Sequence, residues 1–197
     1  MLIIRRAVKA DLPYINTILN ACIKDSVNNL AIICRTDLEA IEWFNDHGDH
    51  YPVFVAAKDN EILGWASLSV FRNNQGYYPT VENSVYVKDE VRGCGIGKQL
   101  LKTLIKAGRD LEYHTIIALI TEENEASIYL HKSLGFIITG NMIEVGVKFG
   151  KMSNVTIMQF FLENQEQNIP KYRYANVVHE IAIDYNIMNK MDNRNKA

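Results

Sequence analysis

Apolar residues recur along the chain with two periods, and the order of these periods outlines a mixed fold. Alternation and short apolar runs predict seven strands, at Leu2–Val8, Val53–Ala57, Ile62–Phe71, Thr80–Lys88 and Thr115–Ile120, with two more between Phe136 and Leu162. The helical period predicts four helices, from Asp11 to about Lys24, from Asp37 to about Phe44, from the glycines at 93–97 to Gly108, and from Asn124 to Leu134. We therefore expect an α+β fold built on a mixed sheet, with Asp11 and Asp37 as helix N-caps.

The pattern changes at residue 163, where the chain becomes polar. The stretch from 163 to 197 is weakly amphipathic and ends in a charged segment. It is too short to form a domain of its own. We expect one domain over residues 1–162 and an extension over 163–197, which could dock as a helix on the domain or on a second subunit.

Composition and charge narrow the class of protein. The 197 residues are 48% hydrophobic and 22% charged, which is typical of one globular domain. The formal net charge of -2 gives no excess of positive charge that would favour binding to nucleic acid or to an anionic membrane. The longest apolar run is far shorter than the roughly 18 residues that a membrane span requires. Cys22, Cys34 and Cys94 are odd in number and scattered, so we expect a cytoplasmic protein without disulfides or a zinc site.

A glycine-rich turn at Arg92–Gly97 separates a predicted strand from a predicted helix. Glycines at every second position let the backbone curl tightly, so that successive amides can converge on an anion. The helix that follows adds the positive end of its dipole, and Arg92 and Lys98 add full charges. The turn therefore predicts a diphosphate site, in which Cys94 contributes its backbone and not its thiol.

Two known phosphate motifs do not fit this turn. A dinucleotide fingerprint that starts at Gly93 requires glycine where Lys98 stands. A P-loop requires Ser or Thr where Gln99 stands and glycine where Arg92 stands. A tight strand-to-helix turn without any ligand remains open on this evidence alone.

The pattern Arg-x-x-Gly-x-Gly at Arg92–Gly97 resembles the acetyl-CoA loop of the GNAT superfamily of N-acetyltransferases. The segment Asn124–Phe136 resembles the later helix of that superfamily. Thr80–Val87 and Glu144–Lys151 resemble its phosphinothricin and methionine sulfoximine acetyltransferase branch. The likeness covers residues 1–162 and implies a mixed, mostly antiparallel sheet flanked by helices, acetyl-CoA as cosubstrate without a metal, and a homodimer.

The resemblance also implies which residues contact acetyl-CoA. They belong to the end of one strand, the glycine turn and the start of the later helix: Val85, Tyr86, Val87, Arg92, Gly93, Cys94, Gly95, Ile96, Gly97, Lys98 and Asn124.

Acetyl transfer to an amine requires a base for the ammonium and help for the departing thiolate. Glu82 lies on the polar side of its predicted strand, and the resemblance implies that it is the base. His131 stands four residues before Gly135, where most of the superfamily has a tyrosine as general acid and the phosphinothricin branch has histidine. Asn124 and His131 fall on one helix face, whereas Tyr129 points elsewhere and is interpreted as a packing residue.

The presumed substrate is a small amino-acid analogue, whose carboxylate and polar end suit Arg, Lys and Tyr side chains. The resemblance implies Arg72, Tyr77, Glu82 and, near the neighbouring subunit, Lys148 as substrate residues. Tyr78 stands where family members often have a second arginine, so the physiological amine stays open.

Three classes of function remain possible at this point: a small-molecule N-acetyltransferase, a protein or peptide N-terminal acetyltransferase, and a non-catalytic acyl-CoA-binding module. The first is favoured, because the second normally has tyrosine at the position of His131. The His- and Asp-rich segment at residues 46–50 lacks a recognised zinc spacing and is interpreted as a loop that ends a helix.

Overall fold

The structure is a computed structural model that describes residues 1–59 and 61–162. The strands are β1 (Leu2–Arg6), β2 (Val53–Lys58), β3 (Glu61–Val70), β4 (Thr80–Val87), β5 (Thr115–Thr121), β6 (Ile137–Lys148) and β7 (Lys151–Phe161). The helices are α1 (Leu12–Asp25), α2 (Asp37–Asp46), α3 (Ile96–Asp110) and α4 (Glu125–Lys132). Every predicted helix and strand is present among the described residues, with ends that differ by a few residues.

The described strands form one sheet in the order β1-β2-β3-β4-β5-β7-β6. Neighbouring strands run antiparallel except β4 and β5, which are parallel. The mixed, mostly antiparallel sheet expected from the sequence is therefore confirmed.

The parallel pair also has the fewest paired residues of any two neighbouring strands that the structure describes. Strands β4 and β5 pair only over Thr80–Glu82 and Thr115–Ile117. Beyond Glu82, β4 stays paired with β3 while β5 stays paired with β7, so the two strands diverge and open the sheet between them.

Helices cover both faces of the sheet and enclose two apolar cores. On one face α1 packs against the sheet through side chains such as Ile15, which is fully buried. On the other face α3 packs through Leu100, Leu101 and Leu104, which are fully buried and recur at helical spacing. Each such side chain contributes about 1.5–3 kcal/mol by leaving water, so these cores stabilise the sheet on both of its faces.

The structure keeps one predicted N-cap at its position and moves the other by one residue. The cap of α2 is Thr36, whose side chain accepts from the Glu39 amide in a reciprocal capping box, and Asp37 is the first helical residue. Asp11 occupies the N-cap position of α1, as predicted, but its carboxylate accepts from the Arg5 guanidinium and the Val8 amide and not from an amide of the helix. The preference for Asp at helix starts predicts the position of the cap but not which group the carboxylate bonds.

Among the residues that the structure describes, no helix combines the length and apolar character needed to cross a membrane. The predicted extension from 163 to 197 lies outside the described residues.

Candidate active site

The opening between β4 and β5 forms a cleft of about 1480 Å³. This volume exceeds the roughly 300–1,000 Å³ of pockets for drug-sized ligands and suits a larger, extended molecule. Its walls combine the diverging strands with the glycine turn, the start of α3, one side of α4 and the loop after α1. The cleft is therefore the natural place for a cofactor that reaches from the glycine turn towards Glu82.

Strand β4 presents unpaired backbone groups to this cleft. The Lys88 amide donates to Leu63 of β3, so the backbone groups of even-numbered residues in β4 point towards β3. Those of Val85 and Val87 then point towards β5, from which β4 has already separated. Their side chains pack on the α3 core, whereas the Tyr86 side chain stacks on Trp65 on the other face. Val85 and Val87 can thus bind a ligand through the backbone.

The glycine turn has the geometry of an anion site. Gly93 and Gly95 adopt φ values of +78° and +81°, a left-handed conformation that favours glycine. Gly95 is the N-cap of α3, so the first amides of this helix have no partner within the helix and lie beside the cleft. Arg92 is ion-paired with Asp89 at 2.6 Å, and Lys98 is exposed at the same rim.

Asn124 is the N-cap of α4, and its side chain accepts from the Ser127 amide. One turn later, the carbonyl oxygen of Ser127 lies 2.7 Å from Nδ1 of His131. A carbonyl only accepts, so Nδ1 carries the proton in the neutral ring. Nε2 then accepts from the Asn83 side chain at 2.9 Å. His131 is 3% exposed, and burial lowers the pKa of its imidazole, although the hydrogen bond to Ser127 opposes this shift.

Glu82 lies at the point where β4 and β5 separate. Its side chain is on the α1 side of the sheet, opposite to the side that holds His131, and it lines the cleft. Burial raises the pKa of the Glu82 carboxyl, and the positive charge of Arg72 partly offsets this rise. A buried carboxyl with a raised pKa is a stronger base than an exposed one, as amine deprotonation requires.

Most of the predicted cofactor residues line the cleft together with Glu82 and His131. They are Val85, Tyr86, Val87, Arg92, Gly93, Gly95, Ile96, Gly97, Lys98 and Asn124. Cys94 belongs to the same turn but is not part of the lining.

The predicted substrate residues are more dispersed. Arg72 and Tyr77 are exposed in the β3–β4 connection, where both pack on the Phe71 ring. Tyr78 follows them, and none of the three lines the cleft within the described chain. Lys148 is 3% exposed and its ammonium donates to the carbonyl of Asn29, but Lys148 itself is not part of the lining of the cleft.

Several lining residues were not predicted from the sequence. Tyr129 was interpreted as a packing residue, but it is 77% exposed and lines the cleft, so that interpretation was wrong. The loop after α1 contributes residues 28–31, and Asn29 donates to the Tyr86 hydroxyl at 2.7 Å. Asn83 is the clearest omission, because a polar residue among the core-facing valines of β4 is itself a signal.

The loop after α2 is built by packing and hydrogen bonds. Its His47 contacts the Trp43 carbonyl through Nδ1 at 2.6 Å and the Ser69 hydroxyl through Nε2 at 3.1 Å. No group of three or more His, Cys, Asp or Glu residues in the described part of the chain is arranged to hold a metal ion.

Comparisons with known proteins agree with this geometry. Residues 21–136 match the model of the acetyltransferase (GNAT) family. A methionine sulfoximine and methionine sulfone acetyltransferase of Pseudomonas aeruginosa is 43% identical over 166 residues, which cover 81% of this chain and 94% of that protein.

Two solved structures extend the likeness to the fold. The yncA protein of Salmonella typhimurium, solved with its cofactor acetyl-CoA, has a TM-score of 0.82 and 34% identity over 86% of this chain and 99% of its own. A phosphinothricin acetyltransferase of Sinorhizobium meliloti, in complex with acetyl-CoA, has a TM-score of 0.79 and 32% identity over 87% and 97% of the two chains.

Proposed function

The chain belongs to the GNAT family of acetyltransferases, and on this premise we propose that it moves the acetyl group of acetyl-CoA to the amine of a small amino-acid analogue. The observation that carries the proposal is the cleft itself, because it joins the glycine turn to Glu82 along the unpaired edge of β4. The relatives named for methionine sulfoximine and phosphinothricin support this class of substrate.

We propose that acetyl-CoA lies along the opening between β4 and β5. The amides of the glycine turn and of the first turn of α3 would bind its diphosphate, with Arg92 and Lys98 at the rim. The backbone groups of Val85 and Val87 would bind the more distant part of the cofactor as an added strand binds a free sheet edge. This arrangement brings the thioester towards Glu82.

Transfer then follows by direct attack of the amine on the thioester carbon. Glu82 takes a proton from the substrate ammonium. The negative charge that develops on the thioester oxygen would be stabilised by cleft-facing amides of β4. His131, on the opposite side of the sheet, assists departure of the thiolate.

The substrate carboxylate is assigned to Arg72, whose charge already acts on Glu82. Tyr77 and Tyr78 lie on the same connection and would complete the outer rim. Lys148 does not line the cleft of its own chain, and its ammonium donates to the Asn29 carbonyl. Its predicted role therefore depends on the predicted homodimer, which exposed apolar side chains of β6 such as Ile143 and Val145 support.

The function is tested by measuring release of free coenzyme A with a panel of amines: methionine sulfoximine, methionine sulfone, phosphinothricin, natural amino acids and short peptides. We expect turnover with one or more of the amino-acid analogues and a fall of at least about 100-fold in kcat for Glu82→Gln, with unchanged acetyl-CoA affinity.

The exposed carboxylate change Glu42→Gln on α2 is the matched control and should leave kcat unaltered. Turnover with peptides alone would replace the proposed substrate class. Full activity of Glu82→Gln would refute its assignment as the base.

A further inference from the structure

Asn83 interrupts the apolar side of β4, which otherwise presents Val81, Val85 and Val87 to the α3 core. It is 8% exposed and directly follows Glu82. It is also the first residue of β4 beyond the last pair with β5, and it lines the cleft. Its amide group is therefore buried at the narrow end of the cleft, where the two strands begin to separate.

His131 determines how this amide is oriented. Because Nδ1 of the ring donates to the Ser127 carbonyl, Nε2 has only a lone pair to offer. That lone pair accepts one N–H from the Asn83 side-chain nitrogen at 2.9 Å. The imidazole thus fixes the amide nitrogen towards α4.

The rest of the amide is unsatisfied. Within the described residues, Oδ1 of Asn83 is buried and has no hydrogen-bond partner, and the second N–H of the same amide has no described acceptor. On the facing strand, the Thr121 hydroxyl is also buried and unpartnered. Both side chains line the cleft. Buried polar groups without partners in a cleft indicate that a bound molecule supplies the missing hydrogen bonds.

We infer that Asn83 is a further catalytic residue, whose free N–H donates a hydrogen bond to the sulfur of acetyl-CoA as the carbon–sulfur bond breaks. His131 is then a positioning residue, which assists the thiolate by holding the Asn83 amide and not by giving up a proton. This inference rests on the proposed function and specifies how its leaving group is stabilised.

The proton balance is complete without His131. The substrate ammonium loses its first proton to Glu82, and its nitrogen then forms the new bond to the thioester carbon while the carbon–sulfur electron pair leaves on sulfur. The acylated nitrogen loses a second proton. Of these two protons, one ends on the sulfur and one in water, so the ring can stay neutral, with Nδ1 keeping its proton and donating it to the Ser127 carbonyl.

The first test titrates the thiol of bound coenzyme A by its thiolate absorbance. A free thiol has a pKa of about 8.5, and a hydrogen bond to the thiolate lowers that value. At a fixed pH near 7.5 we expect about tenfold less bound thiolate in Asn83→Ala than in the wild type. The decrease should be larger in Asn83→Asp, which has the same size but adds an acceptor charge.

The matched control is Asn45→Asp, the same change at an exposed amide on α2 outside the cleft. It should titrate like the wild type. Equal thiolate fractions in the wild type and both Asn83 variants, with coenzyme A bound, would overturn the inference.

The second test separates positioning from proton donation at His131. His131→Gln retains an acceptor for the Asn83 amide but cannot act as an acid, so its kcat should stay within about tenfold of the wild type. His131→Ala and Asn83→Ala should each lower kcat by about 100-fold, and the double variant should be no worse, because the two residues act as one unit. A His131→Gln kcat as low as that of His131→Ala would overturn the positioning role.

The two proposals can fail separately. A wild-type protein that binds coenzyme A but acetylates no amine contradicts the proposed function and leaves the thiol titration to decide on Asn83. An active wild type with unaltered kcat in Asn83→Ala contradicts only the inference about Asn83.

Discussion

Two opposing effects act on the carboxyl of Glu82, and together they set the pH at which it can work. Burial raises its pKa, and the charge of Arg72 lowers it. A base must be deprotonated, so kcat/KM should fall as the pH drops through this pKa. The acid limb of the pH profile should therefore lie above the range of an ordinary glutamate.

Removing the charge of Arg72 leaves burial unopposed. In Arg72→Gln the pKa of Glu82 should rise further, so the acid limb of kcat/KM should move to higher pH. The pH at which the limb lies is diagnostic, because loss of a substrate contact lowers kcat/KM at every pH without moving the limb. Arg6→Gln, which removes a charge paired with Asp49 at the β1 edge, should leave the limb in place. An unmoved limb in Arg72→Gln would show that Arg72 does not act on the base.

Individual side chains differ in how well the sequence predicts them. The strand period correctly separates Glu82 from the core-facing valines, and the helical spacing correctly brings Asn124 and His131 to the side of α4 that lines the cleft. The same reasoning failed for Tyr129, since the orientation of a short helix depends on what it packs against. The partner of His131 could not be predicted either, because Asn83 is 48 residues away along the chain.

At the level of single elements, the glycine turn depends on backbone geometry more than on space. A Cβ atom at Gly95 would meet nothing within 4 Å, but its φ of +81° is unfavourable for other residues by about 1–2 kcal/mol. In Gly95→Val the turn should change conformation and its amides should no longer converge. We expect acetyl-CoA binding to weaken by at least about tenfold in titration calorimetry.

Gly48→Ala is the matched control for this change, because a Cβ there also meets nothing within 4 Å and its φ lies outside the left-handed region. It should bind acetyl-CoA like the wild type. If Gly95→Val also binds acetyl-CoA with the wild-type affinity, binding of the diphosphate does not depend on the conformation of this turn.

The elements themselves were largely predictable, because apolar periodicity reports which face of each strand or helix is buried. The opening between β4 and β5 was not predictable from that periodicity. The buried run of β5 continues beyond the point where pairing stops, and β4 marks the separation only by the polar Asn83 in its row of valines. The family resemblance predicted acetyl-CoA as the cosubstrate, but the arrangement of the cleft could be described only from the three-dimensional structure.

At the scale of the whole molecule, the predicted substrate residues do not all line the cleft of a single chain. Lys148 is held by Asn29 beneath the loop after α1, and the turn between β6 and β7 exposes Phe149 beside it. Sequence similarity assigns a residue to a site without stating which copy of the chain supplies it. A substrate role for Lys148 therefore depends on a second subunit, and the homodimer stays a prediction.

The same scale raises the question of whether residues 163–197 are required for activity. Every predicted site residue lies in 1–162, and the methionine sulfoximine acetyltransferase of Pseudomonas aeruginosa aligns over 94% of its length with 81% of this chain. Leu162 is buried against α3, where Arg109 donates to its carbonyl oxygen, so a chain that ends there would place its new carboxylate beside a positive charge. We expect a protein of residues 1–162 to retain kcat/KM within about threefold and to unfold at nearly the same temperature. Light scattering on the two proteins should give the same oligomeric state, whereas a change from dimer to monomer with loss of turnover would assign the extension to the subunit interface.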